Sequence, residues 1–66
     1  MLNVIDYETL YDNAGDIYIV ETVEYKGHYI LYVNKEFYAS MDNAFEVNEE
    51  IQDIIDYYRL TYIKPI

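Results

Sequence analysis

One stretch decides the fold: Asp16-Ile-Tyr-Ile-Val-Glu-Thr-Val-Glu-Tyr25. It is dense in β-branched and aromatic residues, which are enriched in β-strands. Lys26-Gly27 follows it directly, and glycine tolerates the positive φ that a two-residue turn requires. The stretch is therefore predicted to be a strand that enters a β-hairpin.

Two further strands are predicted after this turn. His28-Tyr-Ile-Leu-Tyr-Val33 has the same composition and ends at Asn34-Lys35, where asparagine can take the left-handed conformation. Glu36-Phe-Tyr-Ala-Ser-Met41 then follows. Three antiparallel strands joined by two tight turns form a meander.

The period of the apolar residues then changes from two to about 3.6. Asn43 followed by Glu46 matches a helix-start pattern, and an apolar stripe continues from there, formed by Val47, Ile51, Ile54 and Tyr58 with Ala44 and Ile55 beside it. A helix is predicted over about residues 43–60. The predicted fold is α+β, a three-stranded antiparallel sheet packed on one C-terminal amphipathic helix, in a single domain over residues 1–66.

The first fifteen residues carry a different signal. Asp6 could cap a short helix that runs through Tyr7, Leu10 and Tyr11 and ends near residues 13–15. A short N-terminal helix is therefore included in the prediction.

Both faces of the predicted sheet are apolar. Two-residue turns place Val23 opposite Ile30 and Thr22 opposite Leu31. One helix can cover one face only, and it is expected to cover the face with Ile17, Ile19, Val23, Ile30, Phe37, Ala39 and Met41. The other face is predicted to bind a partner or a second copy, and it holds Tyr18, Val20, Tyr29, Leu31, Val33 and Tyr38.

An alternative for this second face stays open. The N-terminal segment could fold across it through Leu2, Val4, Tyr7, Leu10 and Tyr11. A slip of one residue in either turn would exchange the two faces.

The charge of the chain indicates what kind of partner it has. Thirteen Asp and Glu against four Lys and Arg give a net charge of -9, and the chain also holds ten Tyr. Such a charge repels nucleic acids and anionic membranes, so neither is an expected direct partner. Tyr is enriched where proteins bind proteins. Five acids are predicted to form a partner-binding ridge on the outer face of the helix: Glu46, Glu49, Glu50, Asp53 and Asp56.

No enzyme site can be assembled from the sequence. His28 is the only His and Ser40 the only Ser, neither has an evident catalytic partner, and there is no Cys. The helical carboxylates point away from the apolar stripe, unlike the ligands of di-metal helical sites. A chain without catalytic residues, metal or cofactor is predicted. The first residues lack a basic region and a long apolar run, so a cytoplasmic location is expected.

The chain resembles small phage or mobile-element inhibitors of host defence in its size, acidity, Tyr content and lack of Cys. The acidic ridge is the local feature that comes closest to those inhibitors. These include nucleic-acid-mimicking anti-restriction proteins and anti-CRISPR proteins. The resemblance implies a non-enzymatic inhibitor, in the host cytoplasm, of a basic protein that handles nucleic acid, such as a nuclease or a CRISPR effector.

A second likeness concerns the segment Phe37-Tyr-Ala-Ser-Met-Asp42 leading into Val47-Asn-Glu-Glu-Ile51. It looks like the last strand and helix of HicB-type antitoxin domains, without their Gly-rich approach to the helix. Such modules agree with an alternative function, a small structural or regulatory protein that forms a homodimer through a Tyr-rich sheet face.

Overall fold

The computed structural model describes residues 3–65, which form a four-stranded antiparallel sheet followed by one helix. The strands are β1 (Asn3–Tyr11), β2 (Ile17–Tyr25), β3 (His28–Val33) and β4 (Glu36–Met41), in the spatial order β1-β2-β3-β4. The helix α1 (Ala44–Tyr58) lies over β3 and β4. The predicted α+β class with a C-terminal helix is confirmed, whereas the prediction of three strands is wrong.

Two tight turns fix the centre of the sheet. Lys26 and Gly27 have φ values of 50° and 80°, and Asn34 and Lys35 have φ values of 51° and 69°. Positive φ at both central residues matches the twist of the flanking strands. The predicted register of β2 and β3 is confirmed, with Val23 opposite Ile30.

A β-bulge changes the register along β4. Tyr32 pairs with Phe37, as predicted, but Leu31 pairs with Ala39, so Tyr38 is an extra residue. Beyond the bulge, Met41 pairs with Tyr29 instead of the expected His28. A bulge moves every later side chain by one position. Ala39 and Met41 therefore lie on the face of Leu31, and their predicted place beside Val23 is wrong.

The predicted N-terminal helix is wrong, because residues 3–11 form the edge strand β1. Most of its residues are β-branched or aromatic, and pairing with β2 satisfies their backbone groups. The turn that follows is closed by Asp12, whose Oδ1 accepts hydrogen bonds from the backbone N–H groups of Ala14 and Asp16, both at 2.9 Å. The segment thus extends the sheet and does not fold across a face; Leu2 lies outside the described residues.

Helix α1 has defined ends. The Asn43 side chain accepts a hydrogen bond of 2.9 Å from the backbone N–H of Glu46, as the capping pattern predicted. Arg59 ends the helix in the left-handed conformation, with φ 55°. The chain then returns to the edge of the sheet, where Thr61 and Tyr11 exchange two backbone hydrogen bonds of 2.8 Å.

The helix covers the opposite sheet face from the one expected. Val20 and Leu31 are 1% and 0% exposed and pack with the helix residues Val47, Ile51 and Ile54. The other four residues predicted to form a free face also pack against this core: Tyr18, Tyr29, Val33 and Tyr38. These six residues therefore lie beneath α1, and their prediction as an uncovered face is wrong.

The central polar residues of the two faces favour this choice, since the other strand acids lie on the edge strands or near a strand end. Glu21 lies on the face with Val23, whereas the central polar residue of the covered face is the neutral Thr22. Burying a carboxylate under a helix costs far more than burying a hydroxyl. The bulge in β4 adds Met41 to the covered face, and β1 adds Leu10, which is 0% exposed. Helix α1 is the only helix within residues 3–65, and it is too short and too polar to cross a membrane.

Candidate functional site

The predicted acidic ridge forms one continuous stripe on α1. Its members recur at three- and four-residue steps along the solvent side of the helix, and all are exposed except the half-buried Glu50: Glu46, Glu49, Glu50, Asp53 and Asp56. Side chains at these steps lie about 5–6 Å apart. The structure thus brings the five carboxylates together on one surface; their role in binding stays a prediction.

Few of the carboxylates are neutralised within the molecule. Residues 3–65 contain two ion pairs, Lys35 with Glu21 at 2.9 Å and His28 with Asp42 at 2.9 Å. Neither involves the ridge. The side chain of Gln52 donates a hydrogen bond of 3.0 Å to Asp56, which orients that carboxylate without changing its charge.

The acids of the strands lie mainly on the side that carries the helix. Asp6 and Glu8 pair with Thr22 and Val20, and cross-strand partners share a face. By the same rule Glu24 and Glu36 also lie on this side, opposite Tyr29 and Val33. Glu21 is the one acid in the four described strands on the other face. The helix-bearing side is called the acidic side below.

A cavity opens on the acidic side between α1 and the sheet. It has a volume of about 240 Å³ and is lined by Tyr18, Val33, Asn34, Glu36, Phe37, Tyr38 and Tyr58. The rings of Tyr18 and Tyr58 are 5.2 Å apart, and the exposed Tyr57 packs edge-on against Tyr58 at 4.8 Å. We call this cavity the tyrosine groove.

The surroundings of the tyrosine groove are electrically negative. The pKa of Tyr38 is raised by burial and by the nearby carboxylates of Glu50 and Asp53. Burial also raises the pKa of Tyr18, with further contributions from Asp12 and Asp16. Burial disfavours a charge of either sign, whereas the contribution of the carboxylates reflects a negative potential that favours a positive charge beside these hydroxyls. The groove therefore suits a cationic group.

The opposite face of the sheet is apolar and uncovered, and the sequence analysis did not identify it. Five of its side chains are 40–65% exposed: Val4, Tyr7, Ile17, Tyr25 and Phe37. Val4 belongs to this face because it pairs with Val23, and Phe37 because it pairs with Tyr32. The signal for it was Glu21, a carboxylate in one of the two central strands, where a helix packed over the sheet would bury it. We call this surface the open face.

The residues considered for chemistry lie apart from the tyrosine groove. His28 is bonded through Nδ1 to Asp42 at the end of the sheet, where both side chains are more than half exposed. Ser40 is exposed and pairs with Ile30. Among residues 3–65, no three His, Cys, Asp or Glu side chains converge on a point where a metal ion would fit.

Comparison of the chain with protein-family models, with curated proteins and with solved structures gives no match.

Proposed function

We propose that the protein is a non-enzymatic inhibitor that binds the basic surface of a nucleic-acid-handling protein, such as a host defence nuclease or a CRISPR effector. One observation carries the proposal: the acidic side gathers the ridge and four strand carboxylates on one side of the molecule. A surface of one sign attracts a surface of the opposite sign and raises the rate of encounter.

The spacing of the ridge supports mimicry of a nucleic acid. Carboxylates about 5–6 Å apart along a helix are comparable in spacing to successive phosphates along a strand. A rigid helix presents them in a fixed line, so little conformational entropy is lost when they meet a row of basic side chains. A channel that binds a phosphate backbone would accept this line of charges.

The tyrosine groove supplies an anchor beside the ridge. A guanidinium or ammonium group is attracted to the faces of Tyr rings and to nearby carboxylates. The groove offers the rings of Tyr18, Tyr38 and Tyr58, with Glu36 in its wall, and its volume of about 240 Å³ suits one long side chain. An Arg or Lys of the partner would enter it, and such a buried contact supplies much of an interface's affinity.

Capture from a bacterial lysate tests the proposal. The immobilised protein is expected to retain nucleic-acid-handling proteins at low salt and to release them as salt is raised, because screening weakens long-range attraction. Mass spectrometry identifies what is released. A polyglutamate resin of equal charge density serves as the control, and proteins that bind both resins equally are discarded. Retention that resists salt, or that polyglutamate reproduces in full, would contradict the proposal.

A further inference from the structure

The open face is nearly free of net charge, although the chain carries -9. Its one strand acid, Glu21, is paired with Lys35, whose Nζ lies 2.9 Å from Oε1 and 3.1 Å from Oε2. The side chain of Glu21 is only 10% exposed, whereas that of Lys35 is 78% exposed. This pair has no net charge, and Lys26, 5.2 Å from the ring centroid of Tyr25, adds a cation at one end, so the face carries no net negative charge. The repulsion that the acidic side imposes on a like molecule is therefore weakest here.

The open face also exposes much of the apolar area that a stable interface needs. Its five most exposed side chains are Val4 at 50%, Tyr7 at 56%, Ile17 at 53%, Tyr25 at 40% and Phe37 at 65%. Because large side chains offer on the order of 150–250 Å² each, these five expose roughly 500 Å². Half-buried neighbours such as Ile19 and Ile30 add to it. The total approaches the area of about 800 Å² that each partner contributes to a standard interface.

The open face has both a hollow and a protruding ring, the two features that a self-complementary surface needs. A hollow of about 270 Å³ is lined by Val4, Glu21, Val23, Tyr32 and Lys35. Beside it stands Phe37, which contacts Tyr32 edge-on with ring centroids 6.5 Å apart and is the most exposed apolar side chain of the face. A two-fold axis brings the same patch of two subunits together, so a protruding ring can meet a hollow twice.

We propose that the open face binds the open face of a second copy, giving a two-fold symmetric homodimer. An oppositely charged partner would select the acidic side, whereas a neutral face with its own ring and hollow suits a copy of itself. Pairing through this face keeps the two acidic sides pointing outward, with a sheet of each copy between them. Burial of this face also adds to the small core that a chain of 66 residues can build.

Dimerisation would make the protein bivalent. Each dimer would present two acidic sides in opposite directions, so it could bridge two basic surfaces and gain avidity without new contacts. The dimer itself does not depend on the inhibitor function, because Phe37, which also lines the tyrosine groove, is the one residue named in both surfaces.

Sedimentation equilibrium of the full chain, over a range of concentrations, tests the dimer. The wild-type protein is expected to behave as a dimer of 16 kDa, twice the chain mass of 8.0 kDa. Phe37→Glu is expected to raise the dissociation constant about 100-fold or more, because the two-fold symmetry places an unpaired carboxylate in the apolar contact twice. Circular dichroism of the variant should stay unchanged, since Phe37 is exposed and outside the core.

Phe45→Glu provides the matched control. It makes the same chemical change at a Phe that is 83% exposed at the start of α1, on the acidic side. Its dissociation constant is expected to match that of the wild type. A wild-type protein that stays monomeric at all concentrations would overturn the proposal. So would an equal loss of dimer in both variants, because the effect would then come from added charge alone.

Discussion

Leu31→Ala is expected to lower the free energy of unfolding by about 2–5 kcal/mol, the usual cost of truncating a fully buried Leu. Leu31 is 0% exposed and packs between the sheet and α1. A domain of this size has a total stability of roughly 3–10 kcal/mol, so the variant should be largely unfolded at mild urea concentrations. Urea unfolding followed by circular dichroism measures the difference.

Ile30→Ala is the control for that measurement. Ile30 is the neighbour of Leu31 in β3, but it is half-buried on the open face. Measured at concentrations low enough to keep the protein monomeric, its truncation should cost less than that of Leu31, because part of the Ile30 side chain stays in contact with water and no helix packs over it. A cost for Ile30→Ala as large as that for Leu31→Ala would mean that α1 covers the other face.

Combined substitution of Glu49→Lys and Asp53→Lys is expected to slow association with a captured basic partner by about 10- to 1,000-fold at low salt. Both residues lie on the ridge, where their carboxylates would face the partner's cations. The difference in association rate between the variant and the wild type should shrink as salt is added, because screening also weakens the attraction of the wild-type protein. Stopped-flow or surface-binding kinetics at several salt concentrations measure it.

Asp6→Lys with Glu24→Lys is the matched control for the ridge. Each Asp or Glu changed to Lys adds two charges, so either pair takes the net charge from -9 to -5, that is -9 plus 4. Asp6 and Glu24 are exposed strand carboxylates of the acidic side that lie outside the ridge. Association should slow less in this pair, because these two acids add to the overall attraction but do not belong to the line of charges along the helix. Equal slowing in both pairs would show that overall charge, and not the ridge, drives binding.

The parts of the fold that local turn chemistry determines could be predicted from the sequence. Gly27 and Asn34 each adopt positive φ in a two-residue turn. The turn that contains Gly27 fixes the pairing of β2 with β3. The helix followed from the apolar stripe and the Asn43 cap, both of which are local signals.

The structural predictions were wrong where contacts between residues far apart in the sequence determine the structure. Tyr7, Leu10 and Tyr11 have helical spacing, but pairing with β2 makes the segment a strand. The bulge at Tyr38 has no local marker such as Gly, and it moves Met41 to the other face. Two apolar faces then left the position of α1 undetermined by pattern alone. A carboxylate at the centre of one face, Glu21, disfavours a helix over it, and that central position depends on how all four strands pair.

The same distinction applies to the candidate site. The acidic ridge could be predicted because it lies on one regular helix. The tyrosine groove and the open face could not, because each combines residues from several strands with the position of the helix. Tyr58 was assigned to the apolar stripe, and the structure shows that its ring also lines the groove.

Competition with DNA tests the central claim most directly. A basic partner obtained by lysate capture is first saturated with its DNA, and binding of this protein to the complex is then measured. We expect DNA and this protein to exclude each other, because the acidic side would occupy the surface that binds phosphates. The Glu49→Lys and Asp53→Lys variant should not displace DNA. A stable ternary complex of partner, DNA and this protein would contradict the account.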